Sequence, residues 1–172
     1  MGRDLNKATP RIKTVILEVL KRAPVEINEF PRVTFVDRTV QEQVALYAQG
    51  RDKLANVNLL RKKANMSPIT LQENKYKVTW TMASRHIVDL HDDDPINDLS
   101  RAVDLGLFDG NKYVTGKNRQ EIDRYIKLAN FVDKIAKELK STNQISGDII
   151  LGAKFKTPDF PHFEEAKPYS NE

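Results

Sequence analysis

Cysteine is absent from this chain. That excludes disulfides, thiolate metal sites and a cysteine nucleophile, so any metal must be held by His, Asp or Glu. Histidine is scarce: the three are His86, His91 and His162. No apolar run approaches the roughly 20 residues of a membrane-spanning helix, so a protein without a membrane span is expected. Met1 to Arg11 is polar and basic and lacks the apolar core of a secretory signal, so no signal peptide is expected. There is no internal repeat and no linker composition that would divide the chain.

What is present suffices for one domain over residues 1–172, with 40% hydrophobic residues, seven Phe, five Tyr and one Trp for a core. The net charge of +4 and a pI near 9.2 are mildly basic. Such a surplus favours an anionic partner or is simply a solvated surface. The aromatic and basic interleaving of nucleic-acid modules is missing, so no nucleic-acid partner is expected.

Periodicity yields helices mixed with short strands. Ile12, Val15, Ile16, Val19 and Leu20 predict an amphipathic helix over Pro10 to Arg22 that Pro24 ends. Val33 to Val36 reads as a strand. Thr39 with Glu42 predicts a capping box, for a helix whose apolar face is Val40, Val44, Tyr47 and Ala48 and whose stop is Gly50. Arg51 to Gln72 is polar, a helical piece and a loop. Tyr76 to Met82 alternates and predicts a strand in which Trp80 packs. Asp89 to Asp98 is an acidic loop holding His91. A second cation such as Ca²⁺ is one reading of its acids, and a solvated run is the simpler one.

Arg101 to Phe108 predicts a strand with Val103, Leu105 and Leu107 on one face. Ala102, Asp104 and Gly106 take the other, where small neighbours leave room beside a lone carboxylate. Asp109-Gly110 is a turn. Asn118, with Glu121 three later, caps the longest helix, whose apolar stripe runs from Ile122 to Leu139. Asp148 to Leu151 is a short strand, and residues 165–172 read as a mobile tail. Without regular βαβ alternation the class is α+β.

Three stretches carry chemistry. In Asp159-Phe160-Pro161-His162 an imidazole follows a carboxylate by three positions, and Pro161 keeps Phe160 out of a helix. Ser84-Arg85-His86 and Ala102-Val103-Asp104 supply a second imidazole and a carboxylate. Two nitrogens and one oxygen leave a fourth position open, the catalytic form of a zinc site. Asp159 would then be general base toward an activated water. Singly, His86 also reads as a satisfied core histidine and Arg38 as a surface cation.

The order Ser-x-His, Ala-x-Asp, carboxylate-x-x-His resembles the zinc D-Ala-D-Ala peptidase family. That family includes D-Ala-D-Ala dipeptidases, carboxypeptidases and the phage endolysins that act as L-alanyl-D-glutamate peptidases. Asp37-Arg38-Thr39, Gln43, Leu46-Tyr47-Ala48-Gln49-Gly50-Arg51, Val78-Thr79, Gly152 and Asp159 to Glu164 extend the likeness. It runs from about Val33 to Glu164 and is nearest to the endolysin type.

The resemblance implies a small antiparallel sheet packed with helices, of the zinc DD-peptidase or hedgehog-like kind. It implies Zn²⁺ held by His86, Asp104 and His162, Asp159 as catalytic carboxylate, and Arg38, Ser84 and Gln43 at the substrate. The substrate would be peptidoglycan, cut between L-Ala and D-Glu for host-wall lysis. The enzyme would be a monomer, made in the host cytoplasm and reaching the wall through a holin. A D-Ala-D-Ala peptidase and a non-catalytic wall-binding module are the alternatives. The chain departs from the family in one respect. Ile87 to Leu99 intervenes between His86 and Asp104, and Ser100 stands where a glycine is usual, which leaves Asp89 as a rival ligand to Asp104.

Overall fold

The computed structural model describes residues 2–89 and 98–167. Helices α1 (Pro10–Glu26), α2 (Val40–Ala48), α3 (Leu54–Lys63) and α4 (Arg119–Ser141) are joined by seven strands. These are β1 (Pro31–Phe35), β2 (Arg38–Thr39), β3 (Ile87–Val88), β4 (Ala102–Asp109), β5 (Lys112–Tyr113), β6 (Ile149–Leu151) and β7 (His162–Glu165). The class is α+β, as expected. The main sheet has the order β1-β4-β7-β6, antiparallel throughout, with β5 folded back onto the end of β4. Strands β2 and β3 form a separate parallel pair.

Burial drives this arrangement. Ile12, Val15, Ile16 and Val19 of α1 and Leu128, Val132 and Ile135 of α4 are fully buried against Val103, Leu105 and Leu107 of β4. The odd-numbered face of β4 is therefore core, and its other face is left for Asp104. Helix α4 begins on the expected cap, Asn118 Oδ1 accepting from Glu121 N at 2.9 Å. Its stripe holds apart from Ile126, which is 40% exposed, while Leu128 and Phe131 are buried instead.

Helix α1 does not stop at Pro24 but runs to Glu26. Proline this late removes one ladder bond, and the Ile27 N–H still donates to Ala23 O at 3.1 Å. Beyond it, Lys134 of α4 reaches Glu26 at 2.7 Å and Arg22 reaches Glu138 at 2.7 Å, tying the last turn to α4. The Thr39 and Glu42 capping box is present. The buried face of α2, however, is Glu42, Gln43, Ala45 and Leu46, with Val40 37% exposed. That helix packs mainly on α3 and also on β2, and its Gln43 bonds to Thr79 and Thr81, so hydrophobicity misidentified its inner side.

Two further expectations fail. Residues 76–82 form no strand, because no neighbour among the described residues supplies a ladder; Tyr76 and Trp80 are 62 and 73% exposed. Trp80 is thus not packed. Glu165 is not part of a loose tail: it ends β7, is buried, and pairs with Arg101 at 2.9 Å and with the Thr9 hydroxyl. His91, and most of the acidic loop with its possible second cation, lie outside the described residues.

Candidate metal centre

The register of three strands assembles the site. Asp104 of β4 lies opposite His162 of β7 on one side and Phe35 of β1 on the other. His86 arrives from the segment before β3, its ring edge-on to Phe35 at 4.8 Å between centroids. Arg38 N donates to His86 O at 3.0 Å, which joins this segment to β2.

Three ligand atoms converge. His86 Nε2 is 3.1 Å from Asp104 Oδ1 and 3.1 Å from His162 Nδ1, and His162 Nδ1 is 3.0 Å from Asp104 Oδ1. Zinc bonds of about 2.0–2.1 Å in a tetrahedron set ligand atoms roughly 3.3 Å apart. The triangle is therefore close to one face of such a site. Asp89 is not in this cluster; Asp104 is.

Outer partners decide which atoms face inward. His86 Nδ1 is 2.7 Å from the carbonyl of Val36, which only accepts, so Nδ1 carries the proton and Nε2 presents a lone pair. His162 Nε2 is 3.0 Å from Glu164 Oε2, so its proton sits there and Nδ1 points inward. Two lone pairs and a carboxylate oxygen thus meet at one point, an arrangement that demands a cation or a shared proton. Burial works to lower the His162 pKa, but hydrogen bonds to Asp104 and Glu164 outweigh it and raise it to about 9. Burial acts to raise Asp104, yet its pairing with the His162 and His86 rings holds it well below the usual carboxylate range.

Ser100 is fully buried, and its Oγ lies 2.7 Å from the same Val36 carbonyl that orients His86. Both Glu164 and the Val36 carbonyl escaped sequence reasoning as orienting groups. The only signal for the first is the His-x-Glu spacing on β7. A backbone carbonyl leaves none.

The triangle is the floor of an open cleft of about 1020 Å³. Residues 78–81, 83 and 84 form one wall, and Phe155 with residues 157–159 the other. Asp159 is on that second wall, its carboxyl pushed above the ordinary range by burial and by Asp104, against the pull of His162, His86 and Arg38. Arg38 lines the cleft with its guanidinium 4.3 Å over the Phe35 ring. Its Nη1 donates to Gln43 Oε1 at 3.0 Å, while its Nε has no hydrogen-bond partner among the described residues. Ser84 lines the cleft, and its Oγ accepts from His86 N at 3.3 Å. Gln43 does not reach the cleft as expected. It is fully buried behind Arg38, with its amide on Thr79 Oγ1 and Thr81 O. A residue with all its polar atoms engaged inside positions Arg38 rather than touching a ligand.

No family model matches the chain, and no curated protein matches it by sequence. Among solved structures it is similar to the crystal structure of Serratia marcescens L-Ala D-Glu endopeptidase ChiX. The TM-score is 0.55 at 17% identity, over 94% of this chain and 83% of that one. At this identity the likeness is one of fold, and the fold brings a His-Asp-His cluster suited to a metal ion into the floor of a cleft.

Proposed function

We propose that the chain is a zinc-dependent peptidase that cleaves peptidoglycan stem peptides between L-Ala and D-Glu, as a phage enzyme of host-wall lysis. The observation that carries this is the triangle of two inward lone pairs and a carboxylate oxygen, with Asp159 on the wall of the same cleft. The fold likeness to an L-Ala D-Glu endopeptidase supports the choice of bond. In this reading a monomer is made in the host cytoplasm and passes to the wall through a holin.

His86, Asp104 and His162 would hold the ion. When bound, zinc supplies Lewis-acid polarisation and lowers the pKa of water. Asp159 takes the proton of the attacking water and returns it to the leaving amine; its raised pKa brings it nearer the range where both transfers are easy. Arg38 lines the cleft, and its planar fork matches the oxygens of a substrate carboxylate or of the polarised carbonyl. Phe35 and Gln43 hold that fork in place. Ser84 contributes a hydroxyl to the cleft wall beside His86.

The test joins composition to product. Elemental analysis should find one equivalent of zinc in the parent and none in His86→Ala or His162→Ala, since two remaining ligands hold zinc poorly. Digestion of purified peptidoglycan should expose new D-Glu N-termini. New D-Ala N-termini would instead favour a D-Ala-D-Ala peptidase. Wall lysis by Asp159→Ala at the parental rate would refute the assigned base.

A further inference from the structure

The segment that supplies Val78 and Trp80 to the cleft carries a set of exposed apolar side chains that the chemistry above leaves unused. Tyr76, Val78, Trp80 and Met82 are 62, 51, 73 and 42% exposed. They occur at every second position along a non-helical run, and all four expose apolar area to water. A file of large apolar groups facing water marks an interaction surface more often than chance. The segment is anchored from behind: Gln43 Nε2 donates to Thr81 O at 2.5 Å, and Arg51 Nη2 donates to Thr79 O at 2.9 Å.

Trp80 is the single tryptophan of the chain. Cations hold its ring rather than apolar neighbours, with Lys77 Nζ 5.5 Å and the Arg51 guanidinium 5.9 Å from its centroid. Arg51 is itself fixed over the Tyr47 ring at 4.0 Å and bonded to Tyr47 O at 2.6 Å. The indole is thus kept in place while most of its surface stays wet. Val78 and Trp80 both line the cleft that contains His86, Asp104 and His162.

We propose that this strip, centred on Trp80, is a subsite for the glycan strand of the substrate, an inference that rests on the peptidoglycan reading. A pyranose ring presents a flat face of C–H groups. Stacked on an indole, it buries apolar area on both partners while its hydroxyls stay at the rim. Lys77 and Arg51, over the indole at 5.5 and 5.9 Å from its centroid, are N–H donors for the hydroxyl and acetamido oxygens of a sugar on its open area. The L-Ala–D-Glu bond lies one residue from the sugar, and a residue spans at most about 3.6 Å. Cleavage there brings the glycan against the wall of the cleft. A peptide occupant has no need of a fixed ring-sized face.

Since Trp80 is alone, intrinsic fluorescence reads the strip directly. The probe is peptide-free glycan of alternating N-acetylglucosamine and N-acetylmuramic acid. It is titrated into the parent and into His86→Ala, or into chelator-treated parent should that variant not fold. The expected result is a saturable blue shift with the same apparent Kd in both. Trp80→Ala, with folding checked by far-UV circular dichroism, should bind insoluble glycan roughly tenfold or more weakly. No shift with glycan, or a shift with free stem peptide only, overturns the proposal. Glycan binding without any cleavage of stem peptides refutes the peptidase reading and upholds the subsite. Cleavage without glycan binding does the reverse.

Discussion

Gly152 stands where the turn that carries Asp159 closes on the end of β6, and alanine at this position strains the site directly. The Gly152 carbonyl accepts from Asp159 N at 3.0 Å, and the Asp159 carbonyl accepts from His162 N at 3.1 Å. A Cβ on Gly152 would overlap the Asp159 carbonyl oxygen and sit 2.8 Å from His162 Cβ and 2.9 Å from His162 O. Ordinary contact begins at 3.4 Å, so the turn must retreat by about 0.6 Å at His162 and farther at Asp159. Backbone is in the way, and no rotamer change relieves it. Overpacking of this kind costs about 1–3 kcal/mol. For a chain of this size, about 2 kcal/mol lowers the melting temperature by roughly 4–8 °C. The same retreat pulls His162 Nδ1 from the triangle, and a loss of about 10–100-fold in zinc affinity is expected, as for other disturbances of ligand orientation. Chelator competition measures the affinity and calorimetry the melting. A Gly152→Ala protein with zinc affinity within about twofold of the parent would refute the construction of the site described above.

Glu164→Gln keeps the shape of the side chain but removes the charge that orients His162 through Nε2, and should weaken zinc by about 10–100-fold. Chelator competition should show this with the melting temperature of the metal-free protein little changed. Between α1 and α4, hydrogen bonds from Arg22 and Lys134 hold Glu26 down to about 2. A carboxylate depressed on folding contributes stability above its unfolded pKa, and this is lost as pH falls from about 4.5 toward 2. Denaturant midpoints over that range should fall less steeply in Glu26→Gln than in the parent.

Local signals were legible wherever the chain decides for itself. The caps at Thr39 and Asn118 need only a side chain and the next turn of backbone. The core faces of α1 and β4 follow from period and size. Where a neighbour decides, the signal misled. The alternation of residues 76–82 has the pattern of a strand, but no partner strand among the described residues completes it. The Gly106 position looked like open space, yet a Cβ there would meet Thr34 and Tyr113, so the small residue serves close packing. Pro24 looked terminal, but its position in the last turn and the ties to α4 carry the helix past it.

The residue types at 86, 104, 159 and 162 and their order belong to the sequence, which restricts any metal here to nitrogen and oxygen ligands. The tertiary structure decided which carboxylate joins the two imidazoles. Antiparallel register sets Asp104 beside His162, 58 positions away, and the separate parallel pairing of β2 with β3 holds the segment that brings His86 to them. It also decided the tautomers, since the Val36 carbonyl and the Glu164 carboxylate reach the rings only after folding. Composition and spacing state which atoms are available. Their direction in space comes from hydrogen bonds between segments far apart in the chain.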